Sequence, residues 1–167
     1  MGREFDDGFT DFVVKWSPAL LRVAFLLTSD RGEAEDLLQT ALLKTSRHWS
    51  RLEDREAAYP YVRRVLVTTH ASWRRRLSTT EQVVESVPDR PAAPHQDGDE
   101  ELRAALRELP VRMRTAVVLR YFEDLSEQQT AVLMGCSPST VNTQTARGLA
   151  RLRTALTVLQ PAGGDER

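Results

Sequence analysis

A chain of 167 residues, 41% hydrophobic and 28% charged, has the make-up of a soluble globular protein of one medium or two small domains. Its net charge of −1 does not point to nucleic acid, so any such binding has to come from local clustering of its cations, which are nearly all arginine. The single cysteine, Cys136, excludes an intramolecular disulfide and a cysteine-based zinc site, as suits a reducing cytosol.

Residues 1–7 lack the basic-then-apolar order of a signal peptide. The longest purely apolar run, residues 23–27, is too short to span a bilayer. The expected location is the cytoplasm, without membrane insertion. Arginine forks grip phosphate better than lysine does, although a GC-rich genome produces the same bias.

Residues 5–77 read as helices. Phe9, Phe12, Val13 and Trp16 recur at helical spacing, and Leu20, Leu21, Ala24 and Leu27 continue the stripe. Pro18 between them either kinks the helix or starts a new one. Asp30 caps the next helix, and Glu33 three residues on completes a capping-box-like pair. Its inward face is Ala34, Leu37, Leu38, Ala41, Leu42 and Thr45; Asp36, Gln39, Thr40, Leu43 and Arg47 lie opposite. Leu43 is apolar among polar neighbours, which marks either a partner surface or an ordinary exposed leucine.

Residues 48–58 read as a polar loop. Tyr59-Pro60 opens a helix to about Leu77, with Val62, Val65, Leu66, Thr69 and Trp73 inward. Arg63, Arg64, Arg74, Arg75 and Arg76 make its surface basic, with Tyr61, His70 and Trp73 interleaved. Arginines that track a backbone and rings that stack on bases suit melted nucleic acid; a solvated face over core aromatics explains the pattern as well. Residues 78–99 hold Pro88, Pro91 and Pro94 among acidic side chains and read as a flexible linker.

Residues 100–158 are helical again, followed by a disordered tail at 159–167. Leu102, Leu106 and Leu109 mark a short helix, Pro110 starts the next, and Asp124 falls at its end. Ser126 with Gln129 caps a further short helix, and Gly135 allows the left-handed backbone of a tight turn. Ser137 and Pro138 start the last helix, whose inner stripe is Val141, Thr145, Leu149 and Leu152. This is the pattern of a DNA-binding helix-turn-helix, presenting Ser139, Asn142, Thr143, Ala146, Arg147 and Arg151 outward.

His48, His70 and His95 are scattered, and there is no His-Glu-x-x-His, phosphate loop or nucleophile elbow. The acidic residues 30–36 complement a helix dipole better than they form a site. No catalytic residue, metal or cofactor is therefore expected, and the chain does not read as an enzyme.

At this point the residues resemble a known family. Ala34-Glu35-Asp36-Leu37-Leu38-Gln39-Thr40-Ala41-Leu42 is similar to the polymerase-binding segment of bacterial sigma factors. Leu109-Pro110, Leu119-Arg120-Tyr121-Phe122-Glu123-Asp124-Leu125-Ser126, Gly135-Cys136-Ser137 and Gln144-Thr145-Ala146-Arg147-Gly148-Leu149-Ala150-Arg151-Leu152-Arg153 resemble their promoter-binding C-terminal domain. Tyr61-Val62-Arg63-Arg64-Val65-Leu66-Val67 and Trp73-Arg74-Arg75-Arg76 strengthen the match, which spans about residues 9–155 and points to the extracytoplasmic-function group of the sigma-70 family, in its actinobacterial SigE-like branch.

The resemblance implies an all-α chain of two domains, 1–77 (region 2-like) and 100–158 (region 4-like), joined by the acidic linker. It implies that Asp36, Gln39, Thr40 and Leu43 dock on core RNA polymerase, at the clamp of the largest subunit, with a further contact to the flap of the second subunit. It implies that residues 50–56 with Arg63, Thr68, Trp73, Arg74, Arg75 and Arg76 take the melted minus-ten element. Ser139, Asn142, Thr143, Ala146, Arg147 and Arg151 would meet the minus-thirty-five element. An anti-sigma factor that covers these surfaces is a further implied partner. Thr68 stands where relatives often carry asparagine, and Asn142 where they often carry a cation, a change that weakens phosphate contact. The rival readings are an ordinary helix-turn-helix regulator, which has no reason to present the Asp36, Gln39 and Thr40 face, and a helical adaptor that binds only protein, in which Arg147 and Arg151 are solvated surface and promoter DNA does not bind.

Overall fold

A computed structural model describes residues 8–52, 54–79 and 97–159. Among the described residues there are α-helices and no strand: α1 (Phe9–Thr28), α2 (Arg31–His48), α3 (Ala58–Thr79), α4 (Asp97–Arg107), α5 (Val111–Val117), α6 (Glu127–Met134) and α7 (Pro138–Leu159). The chain divides into two compact units, Met1–Glu85 and Ser86–Arg167. α3 continues to Thr79 and α4 begins at Asp97, so residues 80–96 of the expected linker lie outside the described residues, as do residues 160–167 of the expected tail.

In the first unit α1 packs along α2, and α3 packs against both. The helical stripes meet in a core that includes Leu20, Leu27, Leu37, Val62 and Leu66, all fully buried. Burying each such side chain stabilises the fold by about 1.5–3 kcal/mol. Pro18 neither starts a helix nor ends one, for it lies inside a continuous α1. It is exposed and Val14, four residues earlier, is 74% exposed, so the interrupted turn faces water, which can take the carbonyl that proline leaves unbonded.

The α1–α2 corner is built from short polar contacts. Ser29 takes a left-handed conformation (φ 59°). The buried Thr28 hydroxyl donates to the Ala24 carbonyl at 2.9 Å and accepts the Asp30 N–H at 3.4 Å. Asp30 Oδ1 then accepts the Glu33 N–H at 2.8 Å, capping α2 as its spacing predicts. The Glu33 carboxylate does not close a capping box; it turns to Arg74 of α3.

Residues 48–58 are not the plain polar loop that their composition suggests. They hold two 3₁₀ turns, Trp49–Arg51 and Arg55–Ala57. Trp49 is 6% exposed and packs its ring against Phe9 and Phe12 at 5.2 and 5.3 Å between centroids. That burial fastens the segment to α1, and the Arg55 guanidinium lies over the outer Trp49 ring at 4.8 Å.

In the second unit α4, α5 and α6 all pack on α7. Leu106, Val117, Val118, Leu119 and Val141 are fully buried. α5 runs into a π-helical turn, Val118–Phe122, closed by Glu123 N–H to the Val118 carbonyl at 3.1 Å. The widened turn keeps Leu119 inside while Tyr121 is 57% exposed. Asp124 (φ 52°) then redirects the chain, and the Arg120 guanidinium holds the Leu125 carbonyl. No helix among the described residues is long and apolar enough to cross a membrane.

Candidate polymerase and nucleic-acid interfaces

The outward face of α2 follows from its inward one. Ala34, Leu37, Leu38, Ala41 and Thr45 are buried and Leu42 is half-buried, which turns Asp36, Gln39 and Leu43 to solvent with Thr40 half-exposed. Leu43 keeps 56% of its surface exposed. Burying it against a partner is worth about 1 kcal/mol, part of the full transfer value of a leucine.

The structure divides the residues of α3. Val62, Leu66 and Thr69 are buried as their period predicts, and Val65 and Trp73 are half-buried. His70, grouped by sequence with the surface cations, is only 2% exposed. Arg74 does not simply project into solvent. Its Nε lies 3.4 Å from His70 Nε2 and its Nη2 3.3 Å from Glu33 Oε1, tying α3 to α2. Lys44 of α2 makes a second tie, Nζ to Thr69 Oγ1 at 3.1 Å. Arg64, Thr68, Arg75 and Arg76 are exposed, and the Thr68 hydroxyl donates back to the Arg64 carbonyl at 2.9 Å. Arg63 lies over the Tyr59 ring at 5.6 Å, Tyr59 packs on Trp16 at 5.0 Å, and Lys15 sits 5.2 Å from the Trp16 ring. This cation–aromatic array joins α1 to the start of α3 through the Trp16–Tyr59 contact, whose members lie too far apart in sequence for a local pattern to pair them.

In the second unit the helix-turn-helix forms with every predicted cap. The Ser126 Oγ accepts the Gln129 N–H at 3.0 Å and the Gln129 Oε1 accepts the Ser126 N–H at 2.9 Å, a complete capping box on α6. Gly135 closes α6 in the left-handed conformation (φ 65°), where a Cβ is disfavoured. The Ser137 Oγ accepts the Thr140 N–H at 3.2 Å at the start of α7. Of the expected inner stripe Val141, Thr145 and Leu152 are buried and Leu149 is only half-buried, with Gly148 buried beside it. Ser139, Asn142, Thr143, Ala146, Arg147 and Arg151 are all exposed, which leaves one side of α7 open over its first four turns. Asn142 Nδ2 donates to Glu127 Oε1 of α6 at 3.2 Å, a partner that the sequence pattern did not single out. Among the described residues no group of three or more His, Cys, Asp or Glu is arranged to hold a metal ion.

The family model for sigma-70 region 2 matches residues 12–80, and that for sigma-70 region 4 matches residues 99–152. The RNA polymerase sigma-E factor of Streptomyces coelicolor is 39% identical over 151 residues, covering 89% of this chain and 85% of that protein. This chain belongs to the extracytoplasmic-function sigma factors of the sigma-70 family. The RNA polymerase sigma factor SigV of Bacillus subtilis is a more distant relative, 28% identical over 81% of this chain and 83% of its own. Among solved structures, the sigma factor RpoE of Bartonella quintana, determined with the anti-sigma factor NepR, matches with a TM-score of 0.70 at 25% identity, covering 91% of this chain and 98% of that one. CnrH, solved with the cytosolic domain of CnrY, shares the fold with a TM-score of 0.57 at 16% identity, over 90% of this chain and 88% of its own.

The sigma factor thus directs RNA polymerase to promoters in transcription initiation. Its two matched regions coincide with the two units seen in the fold. The first unit carries the outward α2 face and the basic α3, and the second carries the helix-turn-helix.

Proposed function

We propose that the outer face of α2, with Asp36, Gln39, Thr40 and Leu43, docks on the clamp of the largest subunit of core RNA polymerase, and that the second unit engages the flap of the second subunit. Residues 50–56 together with Arg63, Thr68, Trp73, Arg75 and Arg76 hold the melted minus-ten element, arginines along the backbone and rings against bases. Arg74 orders this surface from within, through Glu33 and His70. The exposed side of α7 lies in the major groove of the minus-thirty-five element, with Arg147 and Asn142 within reach of base edges.

The chain works in the cytoplasm and by binding rather than covalent chemistry. Carrying both DNA contacts on one chain raises their joint affinity through effective concentration. The single observation that carries the reading is the α2 face. Its inner side is packed into the core through Ala34, Leu37, Leu38, Ala41 and Thr45, yet its outer side leaves a large leucine exposed among Asp36, Gln39 and Thr40. One structural neighbour was solved with the anti-sigma factor NepR and another with the cytosolic domain of CnrY; the first supports an inhibitory protein that covers the same faces.

The test is titration of the fluorescently labelled full chain with core RNA polymerase, followed by anisotropy, alongside Asp36→Arg. Saturable binding that the substitution abolishes at unchanged helicity is the expected result. Equal binding by both proteins would remove α2 from the docking surface.

A further inference from the structure

The contact between Asn142 and Glu127 joins the two helices of the helix-turn-helix at the surface offered to DNA. Glu127 is the first residue of α6, inside the Ser126–Gln129 capping box that fixes that turn. Asn142 stands in the second turn of α7, exposed, on the same side as Ser139, Thr143 and Arg147. Between them, Ala131 (4% exposed), the left-handed Gly135 and the fully buried Val141 set how α6 meets α7. The donor and acceptor are thus carried by a packed frame, 15 residues apart in sequence, at 3.2 Å.

The chemistry of this pair selects one orientation of the asparagine amide. A carboxylate only accepts hydrogen bonds, so it holds the NH2 end of Asn142 and rejects the carbonyl end. An asparagine on its own can turn its amide over and offer either end to a base. One tied to a carboxylate cannot do so without setting two acceptors against each other. One N–H of Nδ2 goes to Glu127, and Oδ1 and the second N–H are left for a ligand.

We propose that Glu127 is a specificity-determining residue: it orients Asn142 so that one position of the upstream promoter element must present an exocyclic amino group in the major groove. Adenine fits both remaining groups, its N6 amino donating to Oδ1 and its N7 accepting the second N–H. Cytosine fits one, through N4. Guanine and thymine can accept the second N–H, but doing so sets O6 or O4 against Oδ1, which offsets the bond gained and ranks them below cytosine. The order at that position, on the strand that Asn142 faces, is therefore adenine, then cytosine, then guanine and thymine. Glu127 also adds a negative charge beside the phosphates, which lowers affinity equally for all sequences. This inference rests on the reading that α7 meets the upstream element.

The experiment uses holoenzyme reconstituted from the full chain and core RNA polymerase, with duplex promoters randomised across the upstream element and bound molecules counted by sequencing. Wild type is compared with Asn142→Ala and Glu127→Gln. Glutamine keeps the length of Glu127 and leaves the capping box alone, but its amide accepts or donates and no longer selects one end of Asn142. Wild type is expected to select adenine and cytosine over guanine and thymine on the order of tenfold at one position, the size of a good base contact. Asn142→Ala should flatten that position alone. Glu127→Gln should lower the amino-over-oxo preference there at least threefold, leave the other positions unchanged and raise binding uniformly. If Asn142→Ala flattens the position and Glu127→Gln leaves its preference intact, Glu127 does not orient the asparagine, and the upstream reading of α7 stands without this inference. If Asn142→Ala changes no position, Asn142 reads no base, and the inference falls together with that part of the reading.

Discussion

Gly148 sits where α7 lies tight against α5, and its replacement by alanine gives a test whose sign is not obvious from sequence. In a helix interior, glycine to alanine is favourable by about 0.5–1 kcal/mol, because alanine loses less backbone entropy on folding. Here the added Cβ meets Val117 Cγ2 at 2.7 Å, with the Met113 carbonyl at 3.4 Å and the Met113 Cβ at 3.6 Å. Val117 is 1% exposed and flanked by the fully buried Ala116 and Val118, so it has nowhere to retreat. Overpacking of this kind costs about 1–3 kcal/mol. Gly148→Ala is therefore expected to destabilise the second unit by about 1–2 kcal/mol, against the helix-propensity trend. Val117→Ala makes room for the methyl, so the double substitution should cost about 1 kcal/mol less than the sum of the singles. The assay is urea unfolding of the full chain by circular dichroism. Fluorescence supplies an internal reference, since Trp16, Trp49 and Trp73 all lie in the first unit and should report an unchanged transition. Neutral or increased stability in Gly148→Ala, or strict additivity with Val117→Ala, would refute the close contact.

Ser126→Ala removes the hydroxyl that accepts the Gln129 N–H and should cost the second unit about 1 kcal/mol, lowering its Tm by about 4–8 °C; an unchanged Tm would mean that the capping box adds nothing. Arg147→Ala should weaken holoenzyme binding at the upstream element by about 1–3 kcal/mol with loss of preference at one position if the guanidinium reads a base, and footprints that stay unchanged upstream would exclude that role. Asn142→Lys adds a cation, worth a steepening of the salt slope by roughly one unit in the absence of a competing anion. Glu127 stands within 3.2 Å of the present side chain and should pair with the lysine instead. The full steepening is thus expected only in Asn142→Lys with Glu127→Gln, and finding it in the single substitution would show that Glu127 is not a competitor.

What was legible in the sequence was what is set locally. The caps at Asp30, Ser126 and Ser137, the turn at Gly135 and the apolar stripes of α2, α3 and α7 each depend on residues within a few positions; the caps and the turn appear where their spacing puts them, and the stripes do in the main, with Leu42, Val65, Trp73 and Leu149 at their half-buried edges. The outward faces of α2 and α7 follow as complements of those stripes. What escaped depends on distant partners. Trp49 sat in a run of polar residues but is buried by Phe9 and Phe12 from the start of α1. His70 and Arg74 shared a basic face by period, yet one is buried and the other bridges to Glu33, 41 residues away. Pro18 stays inside a helix because the flaw it makes is turned to water. The Asn142–Glu127 pair crosses a turn whose angle no helical period encodes.

The two ties between α2 and α3, Glu33 to Arg74 and Lys44 to Thr69, have a mechanical consequence. Each is partly exposed and on its own contributes little to stability. Together they join α2, proposed to meet polymerase, to α3, proposed to meet the opened strand, at two separate points, with the core of the unit beneath them. A tilt of α3 against α2 would have to break both contacts as well as the core packing. On the proposed assignment of the two faces, the first unit would act as a bracket that keeps the polymerase contact and the strand contact in one fixed relation.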